Sequence, residues 1–511
     1  MVMYAETMLI PAIPNLIKDF DISYGMSSWI LTSFLIAGAV MTPIAGNLSD
    51  IYGKKRVLLI IMMIYVIGVS MAGFSTDILT LILARTIQGI GISMFPIAFG
   101  IVRDFFPREK ISIGQGVITS MFAAGSVLGL SIGGIIIQEY GWRMTFFMII
   151  PISFILLFII RKYIHVDDGL HYENEQKKIE RVPFNTKRIE SPNREFSTNT
   201  LRKYNENEND NSVKYIKKKA HIDIKGAITL ATTIISFLLA LTFLDSNIQI
   251  TSYSANYYYY YYSAVSQILP FIIVGIISLI LFIIIEKRTR FPLINFKIFD
   301  NTMLFSSLII MIVGMSMFMV FQTIPILIQT PIPIGFGEDP IATGQIQLPF
   351  SIVLLIFGPA SGFIISKLGT VKPLIMGSVL TTLGFIGLFL FHSNVFYIAA
   401  NLAILSAGLS FASVGAMNVI ILAAPREYSV VTIGVSSLLR IIGSSIGPAL
   451  AAMYMEMNQT SLNTNGIVTY FPSPFAFDMI FFSAIVLSII SIILSILLSR
   501  KILKISIPNL T

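Results

Sequence analysis

Long apolar runs separated by short polar turns fill most of the chain. The runs extend over some 17 to 29 residues, the length of helix that crosses the ~30 Å hydrocarbon core of a bilayer. Fourteen spans are expected, at roughly 1–17, 27–45, 56–74, 78–101, 113–137, 144–160, 224–244, 263–285, 302–329, 342–366, 373–391, 395–423, 428–452 and 475–499. The first is short and begins at Met1, with neither a basic region nor a small-residue cleavage site to mark a signal peptide. Strand architecture is not expected, since membrane-barrel strands alternate over ~10 residues and these runs are solidly apolar.

Two polar stretches interrupt the pattern. Residues 161–223 are rich in Asn, Lys, Glu and Arg, with few apolar residues and little periodicity, and are expected to form a disordered linker rather than a folded domain. Residues 246–262, with six consecutive tyrosines at 257–262, read as a polar turn at the outer membrane interface, where tyrosine sits well at headgroup level.

Composition agrees with the pattern. Hydrophobic residues make up 55% of the 511 and charged residues 12%, about half of what a soluble domain carries. The fold class expected is an all-α integral membrane bundle. Basic residues give the topology: of 35 Lys and Arg, all but four fall on one side of the alternating spans. The exceptions are Lys18 and Arg143 on the other side and Arg85 and Arg440 within spans. The positive-inside rule then places both termini in the cytoplasm and explains the +8 net charge without a nucleic-acid partner. The absence of cysteine excludes disulfides and thiolate metal sites.

A loop recurs across the chain. Residues 46–56 read Gly-Asn-Leu-Ser-Asp-Ile-Tyr-Gly-Lys-Lys-Arg, and 362–372 read Gly-Phe-Ile-Ile-Ser-Lys-Leu-Gly-Thr-Val-Lys. In each, the second glycine follows the first by seven positions and a cation follows the first by ten. A second correspondence links Gly125-Ser-Val-Leu-Gly129 in span 5 with Gly443-Ser-Ser-Ile-Gly447 in span 13. If spans 7 and 8 are an insertion, spans 9–14 repeat spans 1–6, giving two six-helix halves plus two extra central helices. The expected divisions are 1–160 and 287–511 for the two bundles, 161–223 for the linker and 224–286 for the extra helices. Gly125, Gly129, Gly133, Gly134, Gly443 and Gly447 suit close small-xxx-small helix packing.

Charges inside spans need a reason, because each costs ~2.5–3.5 kcal/mol on insertion scales. Glu6 lies about eleven residues, or ~16 Å of helical rise, from the outer end of its span, deeper than any other acid. A carboxyl so placed suits reversible protonation, which makes Glu6 the proton-carrier candidate; a hydrogen-bonded structural role is the alternative. Arg85 is read either as a snorkelling structural cation or as a fixed charge that tunes a nearby carboxylate. Arg440, near the middle of span 13, is placed with Tyr4, Gln88, Gln322, Gln329 and Asn418 in the expected substrate cavity. Interhelical hydrogen bonds are an equal reading for the amides. In the loop, Gly46 and Gly53 permit a tight turn, and Asp50 is expected to pair with Lys54, Lys55, Arg56 or a helix N-terminus.

These residues carry a resemblance to the major facilitator superfamily, and within it to the fourteen-helix drug/proton antiporter branch. The loop 46–56 is similar to the superfamily signature Gly-x-x-x-Asp-x-x-Gly-(Arg/Lys)-(Arg/Lys)-x. Arg85-Thr-Ile-Gln88-Gly89 resembles the branch's Arg-x-x-Gln-Gly motif, and Gly141-Trp142-Arg143, Arg290-Phe-Pro-Leu and Arg440-x-x-Gly443 are similar to further branch fragments. The branch carries an acid before a proline in the first helix, which Glu6 with Pro11 and Pro14 approximates one place late. Where its antiporter motif has proline after the second glycine of span 5, this chain has Leu130. The resemblance implies alternating access, with the 46–56 loop latching one state.

No phosphate-binding Gly-x-x-x-x-Gly-Lys-Ser/Thr occurs, and the four histidines lie in or beside loops, so neither ATP, an enzyme active site nor a metal or other cofactor is expected. The expected function is proton-coupled antiport of amphipathic organic compounds out of the cell across the plasma membrane. The alternatives are a proton-coupled importer of a small metabolite and a non-transporting membrane sensor. The expected partners are a small-molecule substrate, protons and the lipid bilayer, with one chain sufficient because it holds both halves.

Overall fold

The computed structural model describes residues 1–105, 111–163, 223–251, 257–289, 300–423, 429–464 and 467–506. Residues 164–222 of the expected linker therefore lie outside the described residues, and 161–163 end the helix before it. Helices account for nearly all the rest, as they must where the hydrocarbon offers no partner to an unpaired backbone group. They are α1 (Val2–Thr7), α2 (Ile13–Phe20), α3 (Tyr24–Tyr52), α4 (Lys54–Gly73), α5 (Ile78–Gly89), α6 (Met94–Phe105), α7 (Ile111–Tyr140), α8 (Trp142–Tyr163), α9 (Ile224–Thr251) and α10 (Tyr257–Arg288). They continue as α11 (Asn301–Gln329), α12 (Pro340–Leu368), α13 (Val371–Leu390), α14 (Val395–Ala423), α15 (Ser429–Met457) and α16 (Pro474–Ser506). Among the described residues, eleven helices are long and apolar enough to cross a membrane. The other three expected spans fall on α7, on α9 and on the N-terminal segment.

That N-terminal segment departs from expectation. In place of one helix over 1–17, α1 stops at Thr7, a 3₁₀ turn covers Ile10–Ala12, and α2 runs to Phe20. Pro11 and Pro14 account for the break, since proline lacks the amide donor and crowds the preceding turn. Two other expectations change. The turn at 246–262 is shorter, because α9 continues to Thr251 and the six tyrosines open α10 as helix. Between α15 and α16 lies a small antiparallel hairpin, β1 (Gln459–Thr464) on β2 (Ile467–Pro472), with Gln459 opposite Pro472. It stands outside the apolar runs and leaves the helical class intact.

Two series of helices match in length and in punctuation. Helix α3 has 29 residues and α4 has 20; α12 has 29 and α13 has 20. Gly53 separates the first pair at φ +91° and Gly369 the second at φ +78°. Both lie on the positive-φ side that side-chain-bearing residues avoid, so the second glycine of each loop is set by its backbone. The starts match too: Ser23 Oγ accepts from Met26 N–H at 3.1 Å, and Asp339 Oδ1 from Ala342 N–H at 2.7 Å.

The glycine helices match in partner. On α7, Cβ atoms added at Gly125, Gly129 and Gly133 would strike Met3, Tyr4, Thr7 and Met8 of the N-terminal segment. On α15, the same addition at Gly443 and Gly447 would strike Met311, Met315 and Met319 of α11. Glycine allows this close approach of helix to helix.

The two series meet at one end of the bundle. Tyr24 N–H donates to Glu456 Oε2 at 2.9 Å, Gln322 Nε2 to Ser27 Oγ at 3.0 Å, Gln329 Nε2 to the Pro11 carbonyl at 2.7 Å, and Thr32 Oγ1 to the Ser445 carbonyl at 3.2 Å. Gly134 of α7 packs on Pro340, and Gly344 of α12 on the Leu130 carbonyl. All of these lie toward the ends where α3 and α12 begin. Nearer their far ends, Cβ atoms added at Gly46, Gly358 and Gly362 would meet nothing within 4 Å. Helices α9 and α10 pair through Ser278 Oγ and the Thr229 carbonyl at 2.8 Å, and α9 lies against α3 and α15 beside the seam. Helix α10 turns Ile273, Ile276, Ile277 and Ile280 outward, an apolar surface suited to lipid.

Candidate functional site

The break at residues 8–12 leaves α1 as a short helix inside the bundle, held between α7 and α5. Thr7 Oγ1 donates to its own helix at the Met3 carbonyl, 2.9 Å away, and lies 3.4 Å from the Ser126 carbonyl of α7. Glu6, next to it, is 3% exposed, and its Oε2 makes no hydrogen bond. The charges that act on it are Arg440 of α15 and then Arg85 of α5. Sequence reading thus selected two cations from distant parts of the chain that the fold brings into electrostatic reach of Glu6.

Arg85 is fully buried and does not snorkel. Its Nε donates to the Ile30 carbonyl at 3.1 Å, and Nη1 donates to the Ala5 carbonyl at 3.3 Å and to Gln88 Oε1 at 2.7 Å. The guanidinium stacks 4.3 Å from the centre of the Phe34 ring. Three residues apart on one helix, Arg85 and Gln88 share a face, which is why the motif spacing produces a bonded pair. The cation is fastened to α1 and α3 through their backbones, one residue from Glu6.

The remaining expected residues separate into two groups. Tyr4 and Gln88 lie with Glu6 and Arg85, and Tyr4 is half-buried. Gln322 and Gln329 are elsewhere, tying α11 to Ser27, to Pro11 and, for Gln329, to Thr343 Oγ1 at 3.0 Å. The interhelical reading fits their geometry, although Gln322 Oε1 is buried without a partner. Asn418 is half-buried on α14. Arg440 is half-buried, and its carbonyl accepts from Ser444 Oγ at 3.0 Å.

At the loop between α3 and α4, Lys54 Nζ donates to the Gly100 carbonyl of α6 at 3.2 Å, so this cation braces two helices. Lys55 is half-buried and Arg56 exposed. The side chain of Asp50, expected to pair here, lies outside the described residues. At the opposite end, Trp142 Nε1 donates to Asp19 Oδ2 at 2.9 Å, and Arg143, stacked on that indole, donates to the Ser75 carbonyl. The Gly-Trp-Arg fragment is thereby a staple between α2, α8 and the turn after α4.

Tyr65 of α4 is a member of the cluster that sequence reading missed. It is fully buried, facing Gln88 and within electrostatic reach of Arg85, Glu6 and Tyr4. In the sequence it is one aromatic residue in an apolar run, and nothing there separates it from ordinary packing.

Known proteins are similar to this chain in sequence and in fold. The Multidrug transporter protein MdtP of Bacillus subtilis (strain 168) is 24% identical over 468 residues, which span 90% of this chain and 74% of that protein. Multidrug resistance protein 3 of the same organism is 28% identical over 387 residues, 75% of this chain and 62% of that protein. The Tetracenomycin C resistance and export protein of Streptomyces glaucescens is 22% identical over 464 residues, 89% of this chain and 73% of that protein. In fold, the human organic anion transporter MFSD10 (TETRAN) aligns with a TM-score of 0.57 at 13% identity, covering 97% of this chain and 96% of the other. The sequence profile of the Major Facilitator Superfamily matches residues 1–338 and 254–448. With the matched helix series, the glycine-set turns and the buried charge cluster, this establishes that the chain belongs to the Major Facilitator Superfamily and is a multi-pass membrane transporter, not an enzyme.

Proposed function

We propose that this transporter is a proton-coupled antiporter that exports amphipathic organic compounds across the plasma membrane by alternating access. The observation that carries the reading is Glu6: a carboxylate 3% exposed, with one oxygen unbonded, beside two arginines inside the bundle. A buried ionisable group in a membrane protein marks a proton or ion path by default, and here one of its counter-charges, Arg85, is fixed by backbone carbonyls. Export is supported by the relatives, which are named for multidrug transport, drug resistance and export.

Alternating access is supported by the seam. It is bonded where α3 and α12 begin, and the cross-seam bonds of Tyr24, Gln322, Gln329 and Thr32 cluster there. With the basic loops and both termini in the cytoplasm, as the Lys and Arg distribution supports, the bonded end faces outward. We read residues 1–160 and 287–511 as the two moving bundles, 161–223 as their linker and 224–286 as an accessory helix pair. In the cycle, Glu6 takes a proton from outside, the bundles reorient, and substrate arriving from within displaces the proton to the cytoplasm. Transport of protons and substrate in opposite directions separates this cycle from import.

The test is substrate-driven proton release in proteoliposomes, across a panel of lipophilic cations and anionic metabolites. Release is expected in the wild type and absent in Glu6→Gln. Coupled release that survives the substitution removes Glu6 as carrier.

A further inference from the structure

We infer that Tyr65 is a positioning residue for the Glu6 proton site, acting through Gln88 and Arg85; the inference rests on the role proposed for Glu6. Tyr65 stands in the apolar stretch Ile61-Met62-Met63-Ile64-Tyr65-Val66, and its hydroxyl is the polar atom that this stretch carries into the bundle. Helices α4 and α5 approach closely one turn further on, where a Cβ on Gly68 would lie 2.9 Å from Gln88 Cα. On the same face, a Cβ added at Gly91 would strike the Tyr65 ring. The phenol is thus wedged between Gln88 and Gly91, and its hydroxyl is directed at the Gln88 side chain.

The hydrogen-bond inventory of this corner is incomplete in a specific way. Gln88 Oε1 is taken by Arg85 Nη1 at 2.7 Å, which turns the Gln88 amide nitrogen toward Tyr65. Arg85 Nη2 and Glu6 Oε2 are buried without a hydrogen-bond partner, and so are the phenol oxygen and Gln88 Nε2. Of the latter two, one is a donor and the other accepts, so a small displacement joins them, and burial makes leaving both unmet costly. With the bond closed, Tyr65 fixes which end of the amide faces Arg85. Arg85 in turn holds its charge against the α1 backbone beside Glu6. The charged and titratable groups around the Glu6–Tyr65 pair are Arg440 of α15, Arg85 of α5 and Tyr4 of α1.

Removing the hydroxyl frees the amide to rotate and loosens one of the hydrogen bonds on Arg85. Glu6 then faces a less fixed positive charge and keeps its proton to higher pH. Tyr65→Phe retains the ring that fills the space beside Gly91, so a purely packing role predicts no such change.

The titration of Glu6 is read directly from the infrared carbonyl band of its protonated carboxyl, assigned as the band lost in Glu6→Gln. In Tyr65→Phe the midpoint of that band is expected to move to alkaline pH by about half to one unit, with an unchanged thermal unfolding temperature. Gln88→Leu is expected to move it in the same direction. A midpoint that stays at the wild-type value in both variants overturns the inference. The band is read without transport, so the two proposals fail separately. A moved midpoint in a protein that releases no protons with substrate keeps Tyr65 in its role and removes proton antiport.

Discussion

The two helix series open with very different first members. In the second, α11 runs unbroken from Asn301 to Gln329 and offers neutral side chains to its neighbours. In the first, the corresponding segment is cut into α1, a 3₁₀ turn and α2, and it carries Glu6. Packing sets the correspondence. Gly129 of α7 rests on the Tyr4 carbonyl and Met8 amide, and Gly447 of α15 rests on the Met315 carbonyl and Met319 amide. On that register the residue matching Glu6 is Met317, buried and apolar. A common scaffold therefore holds a charged, interrupted helix on one side and an apolar, continuous one on the other. On the role proposed for Glu6, the proton site belongs to the first series, and Arg440 is the second series' contribution to the charge cluster.

Exchanging the two residues is the strongest test of that division. Glu6→Met combined with Met317→Glu keeps the composition but moves the acid away from Arg85, Gln88 and Tyr65. Substrate-driven proton release is expected to be abolished and not regained, and the misplaced acid is expected to lower stability by about 3 kcal/mol. Proton release that persists in the exchanged protein shows that any acid on the inner face of either first helix suffices.

The glycine contacts sharpen the comparison at smaller amplitude. Gly129→Ala and Gly447→Ala each push a helix off its partner's backbone, at an expected ~1–3 kcal/mol. The first displaces the segment bearing Glu6, so it is also expected to move the pH midpoint of proton release. The second displaces α15 from α11 and is expected to change the transport rate more than that midpoint. Thermal unfolding in detergent and the pH profile in proteoliposomes check the two halves of the prediction. Equal shifts in the midpoint remove the asymmetry.

Much of this was legible because local chemistry fixes it. Gly53 and Gly369 stand seven residues after their partner glycines and both end a helix of 29 residues at positive φ. Arg85 and Gln88, one turn apart, were bound to share a face. The helix break at residues 8–12 is masked by apolar length, which suggests one span despite Pro11 and Pro14. Tyr65 was invisible because its role depends on the neighbour that α5 presents, which is a tertiary fact. Gln322 and Gln329 were ambiguous for the same reason: an amide in a span is a pathway or a staple according to what lies opposite, and here Ser27 and Pro11 do.

The two turns give a further test of equivalence. Gly53→Ala and Gly369→Ala place a side chain on backbone that L residues rarely adopt, and each is expected to cost about 1–3 kcal/mol. Gly53 is followed by Lys54, which is fastened to the Gly100 carbonyl. Gly53→Ala is therefore expected to slow reorientation as well, in single-molecule distance measurements between labelled bundle ends. Equal kinetics in the two variants show that the turns serve only as chain reversals.

The smallest expected effect belongs to a contact within the second series. Lys501 Nζ of α16 lies 2.8 Å and 2.9 Å from the two carboxylate oxygens of Asp300, which caps α11 at Asn301 N–H. The lysine holds the Asp300 carboxyl below the usual carboxylate range, with the bonds from Thr302 and Asn301 adding to it. A depressed native value means that the contact stabilises fully above the ordinary Asp value near ~4 and fades as pH falls through the lower native one. Both side chains are partly open to solvent, at 31% and 61%, so the contribution is expected to stay under ~1 kcal/mol. The unfolding temperature of Asp300→Asn should fall slightly below the wild type at neutral pH, and the gap should narrow as pH drops below ~4. A gap that holds constant into acid assigns the effect to the helix cap rather than to the ion pair.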